Sequence, residues 1–179
     1  MSDLCGSGSK TPKSIRDKWR TPKEVFKALD KRFHFVGDMA ASPENALCDR
    51  YITEEMNTLS YPWDDIAKPG EYVWLNPPYS KPGPFIQRAA AMNQDHNIGC
   101  VILVPGDHSV GWWRDMYDTA SEIWLMTLGR LSFINAETGK PGDGNNKGSC
   151  IGIYHPFAAP GCNLSVIDRD FLISIGMED

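Results

Sequence analysis

Apolar positions along this chain switch between two periods. Val25, Phe26, Leu29 and Phe33 recur at three- and four-residue intervals, which predicts a short amphipathic helix from 22 to about 31. Thr21 reads as its N-cap and Pro22 as its first helical residue. "FHFVGDMA" then predicts a strand ending near Asp38, and "SPENALCDRYIT" a turn, a short helix or irregular piece, and a short strand at Tyr51-Ile52. "EYVWL" is a further strand. "PFIQRAAAMNQ" returns to helical spacing, with Phe85, Ile86, Ala89, Ala90 and Met92 on its inner side. The run "IGCVILVP" is the most apolar and has the character of a strand buried on both faces. After it, "GWWRDMYDTA" predicts a helix, and "EIWLM", "RLSFI" and "SCIGIYH" closely spaced strands.

Strand–helix alternation followed by strands in succession predicts one α/β domain over residues 19–179, its sheet mainly parallel with an antiparallel edge. Residues 1–18, rich in Gly, Ser and Lys, read as a flexible basic tail, and residues 138–149 as a polar, glycine-rich loop. No run approaches the ~18 apolar residues of a membrane span, and the N-terminus lacks the apolar centre of a signal peptide. Five widely spaced cysteines without a CxxC pair, and four histidines without ligand spacing, argue against a disulfide framework or a metal site. A reducing, cytoplasmic setting is the expectation.

Net charge of −5 argues on its face against a nucleic-acid partner. The distribution changes that picture. Residues 10 to 32 hold nine Lys/Arg against three acidic residues, so the acidic excess lies elsewhere. Such a segment is either phosphate-contacting or a solvated tail and helix face.

In open α/β sheets, ligands bind beyond the carboxyl ends of the strands. One such end carries Asp38 followed by the small residues Ala40, Ala41 and Ser42, without the glycine pattern of a nucleotide fingerprint. A second carries Asn76-Pro77-Pro78-Tyr79. The Asn76 amide oxygen is a neutral acceptor. Pro78 restricts Pro77 and has no N–H, which leaves the Pro77 carbonyl open to a cleft. Two acceptors held close together can grip both hydrogens of a planar –NH2 group, while Tyr79 offers a ring for stacking. A grip that strengthens as positive charge develops on the nitrogen favours transfer to a weakly nucleophilic amine. The alternative is a rigid turn whose tyrosine covers the core.

At these residues the chain resembles the phage-type DNA N6-adenine methyltransferases, a Dam-like family. The carriers are "DKWRTPKEVFKALDKRFHFVGDMAASPENALCDRYIT", "NTLSYPW", "EYVWLNPPYS", "VILVPGDHSVGWW" and "EIWLMTLGRLSFI", in order from residue 17 to about residue 155. The resemblance implies a Rossmann-like domain that uses S-adenosyl-L-methionine (AdoMet). It places Asn76, Pro77, Pro78 and Tyr79 at the reacting amine. Asp38, Ala40 and Ala41 fall at the cofactor's methionine moiety, Thr21 and Pro22 in a lead-in against the cofactor, and Asp64 near its adenine. Asp49, Glu54 and Glu55 remain alternatives for the cofactor ribose. Double-stranded DNA is the implied partner, with the target adenine flipped out of the helix. "PGDHSVGWWRD", the basic N-terminal stretch and the glycine-rich loop with Lys140 and Lys147 are left to contact DNA, with Trp112 or Trp113 stacking or one of them buried. Arg114 and Arg130 would reach phosphates or base edges, or stay solvated. The same motif also serves enzymes that methylate RNA amino groups or protein glutamine, and a non-catalytic DNA-binding relative is a third reading.

Overall fold

The computed structural model describes residues 19–135, 138–142, 147–159 and 161–178, so the expected N-terminal tail lies outside the described residues. In chain order the elements are β1 (Trp19–Arg20), α1 (Lys23–Phe33), β2 (Phe35–Asp38), a 3-10 turn (Trp63–Asp65), β3 (Tyr72–Leu75), α2 (Gly83–His96) and β4 (Gly99–Pro105). Then follow α3 (Gly111–Thr119), β5 (Glu122–Thr127), β6 (Ile134–Asn135), β7 (Ser149–Tyr154), β8 (Asn163–Asp168) and α4 (Arg169–Met177).

Six strands form one mixed sheet in the order β2-β3-β4-β7-β5-β8. Pairs β2–β3, β3–β4 and β5–β8 are parallel, whereas β7 runs antiparallel to both β4 and β5. The antiparallel strand therefore sits inside the sheet and not at its edge, contrary to the sequence reading. The long excursion between β5 and β7 lets the chain reverse and enter the gap without the crossover helix that a parallel strand requires. A second correction concerns "RLSFI". Only β6 is a strand there, and it pairs with β1 outside the main sheet, while Leu131 and Phe133 are buried as core residues. Strand β8 and helix α4 have no counterpart in the sequence reading.

Alternation along the central strands divides the core into two layers. Val73, Leu75, Cys100, Ile102 and Val104 face α2 and α3 through Ile86, Ala89 and Met116. Trp74, Val101, Leu103, Ile151 and Ile153 face α1 and α4 through Val25, Phe26, Leu29 and Leu172. All seven residues of β4 are buried, as its unbroken apolar run requires. Because β2, β3 and β4 are parallel, their carboxyl ends at Asp38, Leu75 and Pro105 share one side of the sheet. The start of β7 joins them, since Ser149 pairs with Pro105.

Candidate active site

Asp38 closes β2 and is only 3% exposed. Its Oδ1 accepts from the Ala40 N–H at 3.3 Å and its Oδ2 from the Leu47 N–H at 3.2 Å. Burial pushes the carboxyl up to about 6, although both N–H bonds pull the other way. The loop after it is tied down by its backbone: the Met39 N–H donates to the Trp74 carbonyl at 2.9 Å and the Ala41 N–H to the Ile52 carbonyl at 3.0 Å. Tyr51 forms a parallel bridge with Asp38, which is all that remains of the short strand expected at Tyr51-Ile52. Ala40 and Ala41 are half-buried, and their small side chains leave the loop backbone approachable.

Asp38 lies in register with Trp74, two residues ahead of Asn76. The two strand ends singled out in the sequence are thus neighbours. At the second, the Asn76 Nδ2 donates to the Thr21 Oγ1 at 3.0 Å. The Asn76 Oδ1 is buried and has no hydrogen-bond partner among the described residues. Such an acceptor costs roughly 1–3 kcal/mol while unpaired, so the geometry favours an incoming donor. The Pro77 carbonyl likewise takes no hydrogen bond among the described residues, and the Lys81 N–H closes the turn on the Pro78 carbonyl at 3.2 Å.

Thr21 does not cap α1, which overturns the reading of the Thr-Pro pair. Pro22 occupies the cap position with no side-chain bond, and the Thr21 hydroxyl turns to Asn76 instead. Both Thr21 and Pro22 are buried at the mouth of the corner.

The Tyr79 ring is half-buried, with its hydroxyl sealed inside beside Ser149. Neither hydroxyl completes a hydrogen bond of standard geometry, and burial pushes the phenol above its usual range. Phe133 packs against the ring at 5.3 Å between centroids. Sequence reasoning missed Phe133 and Ser149 as members of this site; the "GRLSF" segment was noticed, but nothing in it marks a contact with Tyr79.

Asp64 is exposed on the 3-10 turn, whose Trp63 is fully buried and donates from Nε1 to the Thr58 carbonyl at 3.0 Å. Trp63 packs in the same cluster as Met39 and Ile52, which anchors the turn on the Asp38 side of the sheet. Asp49, Glu54 and Glu55 are exposed, the last two three and four residues after the Tyr51 bridge.

Around the same end of the sheet, the loop after β4 meets the glycine-rich loop, where the Gly106 N–H donates to the Gly148 carbonyl at 2.7 Å and Lys147 pairs with Asp107. Trp112 and Trp113 are both half-buried, so neither is the fully buried member of the pair. Trp113 stacks on Tyr117 at 5.9 Å, and exposed Arg114 pairs with Asp118 at 2.8 Å.

The family profile described as DNA N-6-adenine-methyltransferase (Dam) matches residues 8–178. The chain belongs to this family. It is 39% identical to a DNA N-6-adenine-methyltransferase of Escherichia phage T1, over 80% of this chain and 65% of that protein. That share is slightly under two thirds of the T1 protein's own length. Identity is also 39% with a DNA N-6-adenine-methyltransferase of Haemophilus phage HP1 (strain HP1c1), over 86% of this chain and 87% of that protein. Membership in the family takes in both strand ends, from Asp38 to Ala41 and from Asn76 to Tyr79, within one continuous match.

Proposed function

We propose that this chain methylates the N6 amino group of adenine in double-stranded DNA, with S-adenosyl-L-methionine as the methyl donor. Above all, the buried and unpartnered Asn76 Oδ1 supports this reading, at a sheet end shared with buried Asp38. Family membership favours DNA adenine over RNA or a protein amide as acceptor. The fold is read as a Rossmann-like variant that carries β7 inside the sheet. No helix among the described residues is long and apolar enough to cross a membrane, and the proposed place of action is the host cytoplasm.

The residues present fit the cofactor. Asp38 is a buried carboxylate whose carboxyl no cation among the described residues pulls down, the environment in which a bound ammonium group is favoured. Next to it, Ala40 and Ala41 leave room for close approach. Asp38 would take the amino group of the cofactor's methionine moiety, with Thr21 and Pro22 against the cofactor and Asp64 toward its adenine. When bound, the cofactor supplies an electrophilic methyl group carried on a sulfonium.

The chain's own residues do the rest. Tyr79 stacks on the flipped adenine, contributing ~1–3 kcal/mol as base–aromatic contacts do. The Asn76 Oδ1 and the Pro77 carbonyl accept the two N6 hydrogens. This draws the nitrogen out of conjugation with the ring, so its lone pair becomes available. As the nitrogen gains positive charge, both bonds strengthen, which lowers the barrier with no strong base in the site. The excess proton then passes to water.

Incubation with labelled S-adenosyl-L-methionine and unmethylated DNA, followed by nucleoside mass spectrometry, tests the proposal. Wild type is expected to yield N6-methyladenine, and Asn76→Ala none, with cofactor binding retained. Full turnover by Asn76→Ala would remove the mechanism.

A further inference from the structure

We infer that Thr21 is a positioning residue for the transfer, holding the Asn76 carboxamide with its oxygen toward the substrate amine. The inference rests on Asn76 being the amine's acceptor, as proposed above. The two ends of a carboxamide are nearly the same shape, so packing alone does not decide which faces the substrate. With an –NH2 group in the site, only the orientation with Oδ1 outward accepts a hydrogen. That orientation turns Nδ2 into the protein, where a buried N–H must find an acceptor. The Thr21 Oγ1, 5% exposed by residue and 3.0 Å from Nδ2, is that acceptor. The bond also polarises the amide, so Oδ1 becomes a better acceptor as charge builds on the nitrogen.

The position of Thr21 adds a second consequence. It directly follows β1, which pairs with β6 through Arg20 and Ile134. Phe133, the residue before Ile134, packs on Tyr79. The Asn76 amide and the Tyr79 ring are therefore held from one strand pair, and Thr21 is the member that touches the amide. The Trp19 ring packs closely on Gly142, where an added Cβ would come within 2.6 Å of it, and the Gly142 N–H donates to the Phe133 carbonyl at 2.9 Å.

Two variants test the assignment in the full chain. Thr21→Val keeps the shape and removes the acceptor; Thr21→Ser keeps the hydroxyl. With cofactor affinity measured by calorimetry and turnover on duplex DNA, Thr21→Val is expected to lower kcat about ten- to hundred-fold, an oxyanion-hole-sized effect or somewhat less. Its cofactor Kd and its KM for DNA should stay within about two-fold of wild type, since valine keeps the surface that Thr21 sets against the cofactor and the lost bond acts on orientation and charge development. Thr21→Ser should restore kcat to within about three-fold of wild type, since it supplies the same acceptor. Unchanged kcat in Thr21→Val overturns the assignment. So does a loss of cofactor affinity that accounts for the whole loss of turnover, which would place the hydroxyl on the cofactor. Should Thr21→Val unfold, Thr21→Ala takes its place: a folded Thr21→Ala with kcat lowered at least about ten-fold while Thr21→Ser keeps normal turnover supports the role, and a folded Thr21→Ala with unchanged kcat overturns it. Failure of the underlying reading has a different signature, namely no N6-methyladenine from wild type.

Discussion

Phe133 meets the Tyr79 ring with centroids 5.3 Å apart and planes 78° to each other, an edge-to-face contact made from the segment between β5 and β6. The contact leaves Tyr79 half-buried, with its polar end locked inward. What the site can offer a base is thus the ring and not the hydroxyl. Tyr79→Phe is expected to retain turnover within about three-fold and to leave stability unchanged or slightly raised, because a buried hydroxyl without a hydrogen bond is a liability. Tyr79→Ala removes the stacking surface and should weaken turnover by ~1–3 kcal/mol in kcat/KM. Steady-state kinetics on duplex DNA distinguishes the two; equal losses in both variants would assign a role to the hydroxyl.

Phe133→Ala tests the support behind that ring. The side chain is 7% exposed, so truncation should destabilise the fold by ~3–5 kcal/mol, as measured by urea unfolding. Phe133→Leu should recover most of this. If Phe133 does align Tyr79, Phe133→Leu will still have a raised KM for DNA at temperatures where it is fully folded.

Asp38 makes the pH dependence specific. Its carboxyl moves from 3.8 to about 6 on folding, so the folded state favours the protonated form. The stabilisation from that proton is complete below about 4 and is lost as pH rises through about 6; the ionised form then costs about 3 kcal/mol. Wild type should therefore lose stability relative to Asp38→Asn between pH 4 and 6, and run parallel to it above that range. Binding of a cationic amino group reverses the preference by stabilising the ionised carboxyl. Cofactor affinity should fall as pH drops below about 6, with proton release on binding that calorimetry in buffers of different ionisation enthalpy detects. Affinity that stays flat from pH 5 to 7.5 would dissociate Asp38 from the cofactor.

Legibility in the sequence followed the range of the interactions. The buried strand "CVILV" and the stiff corner at Asn76 declare themselves locally, by period and by the chemistry of proline. The neighbourhood of Asp38 and Asn76 was legible too, because parallel strands bring their carboxyl ends together. Thr21 was misread because Thr-Pro before a helix is a local signal, whereas its real partner is 55 residues away. The insertion of β7 was hidden for a related reason: Ile151 and Ile153 face one layer while Cys150 and Tyr154 face the other, and this burial would suit any interior slot. β8 escaped because Leu164 and Val166 are exposed on an edge strand, so its apolar residues do not report a core.

At the far end of the sheet, Tyr72, His155 and Glu122 form a chain of bonds that does not touch the candidate site. The Tyr72 hydroxyl and the His155 Nδ1 lie 2.7 Å apart, the His155 Nε2 is 2.7 Å from the Glu122 Oε1, and the Trp124 Nε1 donates to the Glu122 Oε2 at 2.8 Å. Burial raises the Glu122 carboxyl, but the bonds from His155 and Trp124 outweigh it and leave the pKa lowered. A lowered carboxyl stabilises the fold above its unfolded value and loses that contribution as pH falls through the folded value. Glu122→Gln should thus destabilise by ~1–3 kcal/mol near neutral pH, and the deficit should shrink in acid. Turnover per folded molecule should be unchanged; reduced turnover in a fully folded variant would tie this cluster to the site.

Helices α1 and α4 supply the last prediction, because their packing sets where the chain enters the site. Gly176 lets α4 press on α1 so closely that a Cβ there would fall 1.8 Å from the Glu24 carbonyl oxygen. Backbone cannot step aside as a flexible side chain does, so Gly176→Ala must push the helices apart. The expected cost is ~1–3 kcal/mol, the usual range for overpacking. Glu24 lies three residues after Thr21, and displacement of α1 should carry Thr21 away from Asn76. Gly176→Ala is therefore expected to lower kcat as well as Tm, with the kcat loss persisting well below the melting range. Gly111→Ala provides the control: a Cβ there meets nothing within 4 Å, at the first residue of α3. Reduced freedom of the unfolded chain should make it neutral or stabilising by ~0.4–1 kcal/mol; it controls for stability only, because Gly111 lies in the segment left to contact DNA. Thermal melts on both variants and initial rates on Gly176→Ala check the pair. If Gly176→Ala loses stability but keeps full turnover at low temperature, α1 does not control the placement of Thr21.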